Sequence, residues 1–416
     1  MLEFLPVFIA TLFLIIFVSH INEKYLKLSH EIMLMLFSCI VCIITMICYG
    51  FLKNDNFYMV VVDLQPLNFE SFLLNGALCF MLFAGSCHLR IRDFKAQLRN
   101  VSVLAFVATF LGTVFYGLVF YALSELFSLN ISIYVCLMFG SIVSPTDPIA
   151  ATSILNKYAL PKKTSFLIEG ESLLNDGVGV ALFVLFSGLV STQSQGGNMF
   201  LLMLDQICGA AVIGAGVTYV SLYFFKNSTN FNQHIYVSLF AVSLSYYLSQ
   251  VTGCSGPIAS VVCGVCFSSW RDDLLANEFS FKEFDLCWAT LDNFLNSVLY
   301  VIMGISMIFI FQSDLVFIVS LIAIVSNFIG RGASVFACTF FMKDVPDGFS
   351  KKGFTLLLTW GGLRGALCIA LAMSCKNLVG VETFHHIMAG TYALVFFTTI
   401  CQGLTVPLVY SKIGHD

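Results

Sequence analysis

The chain has 416 residues, 58% of them hydrophobic and 11% charged, with a formal net charge of −4. Soluble proteins carry about 25% charged residues, so this composition excludes a soluble globular protein and a nucleic-acid-binding surface. Apolar runs of the roughly 20 residues that a helix needs to cross a bilayer recur along the whole chain, and the alternation of an outer-membrane barrel is absent.

The reading is an all-α polytopic membrane protein that forms a single unit over 1–416. Thirteen spans are expected, at 4–20, 32–51, 67–88, 101–123, 132–155, 165–190, 199–225, 235–251, 255–269, 287–311, 315–341, 354–374 and 387–410. The first lacks the basic start and small-residue cleavage site of a signal peptide and is read as a retained helix. The loops between spans are too short for a soluble domain. With the N-terminus outside, 16 of the 20 Lys and Arg residues fall in inside loops, only Lys53 and Lys376 fall outside, and Arg331 and Arg364 lie within spans. That segregation supports an N-out, C-in orientation.

The 15 Cys residues lie mostly within spans, where they serve as small hydrophobes. No Cys pairing or metal-ligand spacing stands out. His385 and His386 sit at an outer helix end and read as solvated loop residues rather than pH sensors.

Ionisable groups inside a membrane are costly and mark function by default. Five lie deep: Asp147, Glu171, Asp176, Arg331 and Arg364; Asp205 and Asp292 lie near span ends and read as solvated. In the fifth span, Ser144-Pro145-Thr146-Asp147-Pro148 sets two prolines three residues apart. Each removes a backbone donor, so the pair is expected to break the helix, and irregular backbone survives at that depth only inside protein or beside a polar cavity. The twelfth span carries a matching interruption, Gly361-Gly362-Leu363-Arg364-Gly365. Interrupted helices at corresponding positions of two inverted halves point to the binding site of a secondary transporter. At their crossing, Asp147 can offset half-helix N-termini and Arg364 the C-terminal ends.

The sixth span holds Glu171-Ser172-Leu173-Leu174-Asn175-Asp176. At 100° per residue, Ser172, Asn175, Asp176 and Gly179 make one narrow polar, small face. Thr146 is its expected neighbour. Carboxylate, hydroxyl and carbonyl oxygens suit an alkali cation, with Asp176, Ser172 and Thr146 as ligands, and no soft donor for a transition metal is present. Glu171 needs a buried counter-ion, for which Arg331 is the candidate. Asp176 then has no permanent partner. Burial disfavours its charged form, so it holds either a proton or a cation, which is the logic of obligatory exchange.

These motifs resemble a family. Ser144-Pro145-Thr146-Asp147-Pro148, the 169–180 stretch and Gly361-Gly362-Leu363-Arg364-Gly365-Ala366 are similar to those of the monovalent cation:proton antiporters, and Cys254–Gly264 is similar to a further helix of that family. The resemblance implies Asp176 as the shared proton and cation carrier, Asn175 as its support, Ser172 and Thr146 as cation ligands, Glu171 and Arg331 as a structural ion pair, and Asp147 and Arg364 at the crossing. It implies core helices at about 101–190 and 315–411, moving against dimerisation helices at about 4–88 and 199–311, in a homodimer surrounded by lipid. It also implies electroneutral exchange of one Na⁺ (or Li⁺ or K⁺) per H⁺, with no cofactor, no enzymatic activity and no nucleotide-binding tail. A prokaryotic inner membrane, with the C-terminus cytoplasmic, is the expected location. One departure bears on ion preference: Ala84 stands where many relatives carry an acid, which keeps a K⁺/H⁺ antiporter open.

Three other readings compete. Gly253-Cys254-Ser255-Gly256, with His385 or His386 as base, matches the pattern of a rhomboid-type intramembrane protease. A passive cation channel needs no titratable carrier. An organic-solute transporter needs a larger polar face than this one.

Overall fold

The computed structural model describes residues 4–26, 28–52, 72–87, 91–147, 161–192, 199–228, 230–274, 278–305, 315–342, 345 and 349–413. Regular structure among these residues is entirely helical. In chain order the α-helices are α1 (Phe4–Ile21), α2 (His30–Leu52), α3 (Leu78–Cys87), α4 (Ile91–Ser102), α5 (Thr109–Leu126), α6 (Ile133–Val143), α7 (Lys162–Thr192), α8 (Met199–Lys226), α9 (Phe231–Val251), α10 (Gly256–Leu274), α11 (Glu278–Ile305), α12 (Val316–Phe341), α13 (Lys351–Trp360), α14 (Ala366–Ser374), α15 (Val381–Phe396) and α16 (Gly403–Ile413). π-helical turns precede α3, join α4 to α5 and join α15 to α16. Helix starts follow local chemistry: Ser132 Oγ accepts from Val135 N at 3.4 Å, and Ser350 Oγ from Gly353 N at 3.1 Å, each filling an orphan donor of the first turn.

Seven continuous helical stretches among the described residues are long and apolar enough to cross a membrane. Of the other expected spans, the second, eighth and ninth fall on the continuous helices α2, α9 and α10, the fifth and twelfth on interrupted ones, and the third on α3 and the turn before it. Residues 148–155 of the fifth expected span, 67–71 of the third and 306–311 of the tenth lie outside the described residues, as do Lys53, Arg90, Lys157 and Lys343. The medium is legible in the exterior. Phe317 is 83% exposed, Phe341 77% and Tyr219 74%, which suits side chains turned to hydrocarbon rather than water.

Two packing groups stand out. In one, α5 packs against α6 and α12, and α12 against α13 and α15. Tyr116, Phe120 and Phe139 fill its centre, with ring centroids 4.9–5.8 Å apart. In the other, α10 packs against α3, α8 and α9, and α11 against α2. Trp288, fully buried, packs tilted against Phe83, ring centroids 4.5 Å apart. Helix α7 touches both groups.

Close helix approach depends on missing side chains. A Cβ on Gly140 of α6 would lie 2.3 Å from the Thr113 carbonyl oxygen of α5, and one on Gly179 of α7 would lie 2.3 Å from Pro145 Cγ. The second contact seats α7 beside the break that follows α6.

Gly140→Ala pushes a methyl group into backbone that has no free rotamer. It should destabilise the fold by about 1–3 kcal/mol, read as a lower melting temperature in detergent; an unchanged melt would show that α5 and α6 separate freely.

Candidate functional site

Helix α6 ends at Val143, and Ser144–Asp147 continue as non-helical backbone. Between α13 and α14, Gly361–Gly365 do the same. The two breaks meet. Asp147 N donates to Leu363 O at 2.8 Å, and a Cβ on Gly365 would lie 2.9 Å from Asp147 Oδ2. Arg364, 3% exposed, fills the crossing. Its guanidinium donates to the carbonyls of Ser144 and of Pro145 (2.9 Å for the latter) and to Asn327 Oδ1 of α12 at 2.8 Å. Those two carbonyls lie at the C-terminal end of α6, where the helix dipole is negative and the backbone acceptors have no intrahelical donor. On its own backbone, Arg364 N donates to Thr398 Oγ1 at 3.2 Å and Arg364 O accepts from Thr399 Oγ1 at 3.3 Å.

The polar face of α7 meets the first break. Thr146 Oγ1 and Ser172 Oγ are 3.0 Å apart. Asn175 Nδ2 donates to Thr146 Oγ1 at 2.7 Å, and Asn175 Oδ1 accepts from Thr146 N at 3.2 Å. The same Asn175 amide reaches Glu171 Oε1 at 3.2 Å. Glu171 in turn takes a two-point grip from Arg331 of α12, at 2.8 and 3.1 Å. Glu171 is 1% exposed and Arg331 6%, and fork-on-fork geometry of this kind is what offsets the desolvation of two buried charges. The chain Arg331–Glu171–Asn175–Thr146 therefore runs from α12 through α7 to the break.

Asp176 points elsewhere. It lines a cavity of about 110 Å³ together with Thr146, Asp147, Asp292, Asn296 and Tyr300. It is half-buried, and no base or hydrogen-bond donor is bonded to it among the described residues. Thr146, Ser172, Asn175 and Asp176 are thus neighbours, Glu171 and Arg331 are paired, and Asp147 and Arg364 both belong to the crossing.

Two expectations are corrected. His385 and His386 are not loop residues; they lie in α15, and His386 is buried. Asp292 is not at a helix end, because α11 begins at Glu278 rather than near 287, which leaves Asp292 well inside it and against the cavity. Ser255 stands before α10, its Oγ accepting from Ile258 N at 3.5 Å. Sequence reasoning missed Tyr300, Asn296 and Asn327. The spacing of Asp292, Asn296 and Tyr300 by four residues was the available signal for the first two; Asn327 carried none. Ala84 is buried among Phe83, Cys79 and Cys87, and its neighbour Gly85 lines the cavity.

Breaking the ion pair strands a charge. Glu171→Ala and Arg331→Ala should each destabilise the protein by about 3–5 kcal/mol, and the double variant by less than the sum of the two, because it leaves neither charge unpaired. Thermal melts in detergent check this, and additive losses would mean the two residues act separately.

The profile described as "Sodium/hydrogen exchanger, transmembrane" matches residues 7–412. The Na(+)/H(+) antiporter NhaP of Pseudomonas aeruginosa is 27% identical over 98% of this chain and 96% of its own length. The Na(+)/H(+) antiporter NhaH of Halobacillus aidingensis is 28% identical over 83% of this chain and 84% of its own. In fold, the chain is similar to the sodium proton antiporter MjNhaP1 of Methanocaldococcus jannaschii at pH 8, with a TM-score of 0.77 and 19% identity over the full length of both. A family match that runs over nearly the whole length settles the kinship: the chain belongs to the sodium/hydrogen exchanger family.

Proposed function

We propose that this protein exchanges one monovalent alkali cation, Na⁺ first, for one H⁺ across a membrane, with Asp176 as the carrier of both. The carrying observation is Asp176 itself: a half-buried carboxylate on a 110 Å³ cavity with no fixed base bonded to it among the described residues. Glu171, by contrast, is already neutralised by Arg331. A lone carboxylate in low dielectric needs its charge cancelled, and a proton or a cation does so equally. Thr146, which lines the same cavity, and Ser172, 3.0 Å from Thr146, supply the hydroxyl oxygens that a hard cation takes.

Exchange follows from the charge. The core, about 101–190 and 315–411, crosses between its two positions with Asp176 neutralised and is held back with Asp176 bare. Asn175 supports Thr146 and adds no charge, which keeps the count at one ion for one proton and the cycle electroneutral. The helices of about 4–88 and 199–311 serve as the scaffold and the homodimer surface. The protein sits in a prokaryotic inner membrane, N-terminus outside. The names of its relatives support this reading.

A K⁺/H⁺ exchanger is the second reading. Ala84 is apolar and buried next to cavity-lining Gly85, so this stretch of α3 offers the cavity no carboxylate, and fewer charged ligands favour a larger, more weakly hydrated ion.

Asp176→Asn should abolish exchange and leave the melting temperature near wild type. Initial rates with Na⁺, K⁺ and Li⁺ in proteoliposomes, followed by collapse of a pH gradient without net current, measure both exchange and preference; a variant that still exchanges would remove Asp176 as carrier. Competition for one carboxylate also sets a sign. Lowering the pH should raise the cation concentration for half-maximal exchange and leave the maximal rate unchanged, and a fall in maximal rate alone would place the proton at a different group.

A further inference from the structure

Asp292, Asn296 and Tyr300 form one stripe on α11 and all three line the cavity that holds Asp176. The stripe is ordered from within: Asn296 Nδ2 donates to Asp292 Oδ1 at 3.1 Å. Behind it, α11 is fixed to α2, where His30 Nε2 lies 3.0 Å from Ser297 Oγ and the helices pack along their length. Tyr300, 2% exposed, reaches the other way. Its hydroxyl donates to Asp147 Oδ2. Asp147 is also the residue whose backbone N bonds Leu363 O at the crossing. One tyrosine therefore ties α11 to both breaks.

Apolar helix faces slide past one another at little cost, whereas a hydrogen bond is lost once donor and acceptor separate beyond about 3.5 Å. A bond made in one position of a moving part and absent in the other biases the equilibrium between them by its own worth.

Resting on the exchange reading above, we propose that Tyr300 is a positioning residue for the cycle: its hydroxyl holds Asp147, and with it the break after α6, against α11 while the cavity is open, and releases it when the cavity closes. Tyr300 touches neither cation nor proton. It sets how long the carrier faces the cavity.

Tyr300→Phe keeps the ring and deletes the bond. The test introduces Met81→Cys, a half-buried cavity residue of α3, and follows its alkylation by a small thiol reagent, quantified by peptide mass spectrometry, with and without Tyr300→Phe. Loss of the bond should slow labelling by at least about twofold as the open fraction falls. In proteoliposomes, the cation concentration for half-maximal exchange from the cavity side should rise by about tenfold, the lower end of the worth of one hydrogen bond to a carboxylate, without a lower maximal rate. Labelling and half-saturation both unchanged would overturn the proposal. So would a drop in rate that tracks a drop in melting temperature, which marks a packing residue. If Tyr300→Phe is not recovered folded, Asp147→Asn, which keeps an acceptor oxygen, is compared with Asp147→Ala, which does not: slower labelling in Ala supports the tie, and equal labelling overturns it. Labelling needs no transport. A wild-type protein that exchanges no alkali cation therefore defeats the exchange reading, while the labelling comparison still decides whether Tyr300 holds the break.

Discussion

Two helices can stop in the middle of a membrane only if the backbone groups they uncover find partners, and here Arg364 supplies them. Val143 ends α6, and the carbonyls of Ser144 and Pro145 turn toward the Arg364 guanidinium. Arg364 is itself held by Asn327 and by Thr398 and Thr399. Without a cation at that point the negative end of α6 would face the interior of the bundle with unsatisfied acceptors, each costing about what a lost hydrogen bond costs, and more in low dielectric. The break in turn presents Thr146 and Asp147 to α7 and to the cavity. The site exists because the crossing is satisfied.

The second layer is a division of labour between two acids one helical turn and a fraction apart. Glu171 and Asp176 lie on neighbouring stripes of α7, and a rotation of the face decides their fates. Glu171 turns to α12 and meets Arg331; Asp176 turns to the cavity. Asn175, between them, bonds both Glu171 and Thr146 and fixes the geometry without adding charge. A carboxylate already gripped at two points has little affinity left for a passing cation, so the buried pair makes Asp176 the distinct group on this helix.

Much of this was legible in the sequence, for identifiable reasons. Pro145 and Pro148 announce a break because proline chemistry is local, and Gly361, Gly362 and Gly365 announce another because glycine tolerates irregular backbone. The α7 face was readable from 100° spacing, since helix geometry converts sequence distance into direction. A charged partner on a distant helix, Arg331 for Glu171, is readable because a buried acid needs a counter-ion; an uncharged one is not. Asn327 is an unremarkable residue in an apolar run and Tyr300 is marked only by its four-residue spacing from Asn296, and their bonds to Arg364 and Asp147 span separations of 37 and 153 residues. Helix ends were the other blind spot. Hydropathy placed the start of α11 near 287 because Glu278–Glu283 is polar, yet the chain is helical from Glu278, and that moves Asp292 from a supposed solvated end to the cavity wall. His386 was misplaced for the same reason: a polar first turn of α15 reads as loop when only hydropathy is weighed.

The cavity wall shows how the crossing and the carrier connect. Its acids differ in their neighbours. Asp292 has Asn296 on the same helix, and Asp147 has Tyr300 from the facing one. Asp176 has no such donor among the described residues. Neutral donors lower the cost of holding a carboxylate charge in place, and a group so served has less need of a proton or a cation. Under the proposed exchange, that difference favours ion capture at Asp176, which shares the cavity wall with Thr146. On the exchange reading, the same hydrogen bond that keeps Asp147 out of competition also joins α11 to the moving break, so selectivity for the carrier site and the resistance to its movement share one tyrosine hydroxyl.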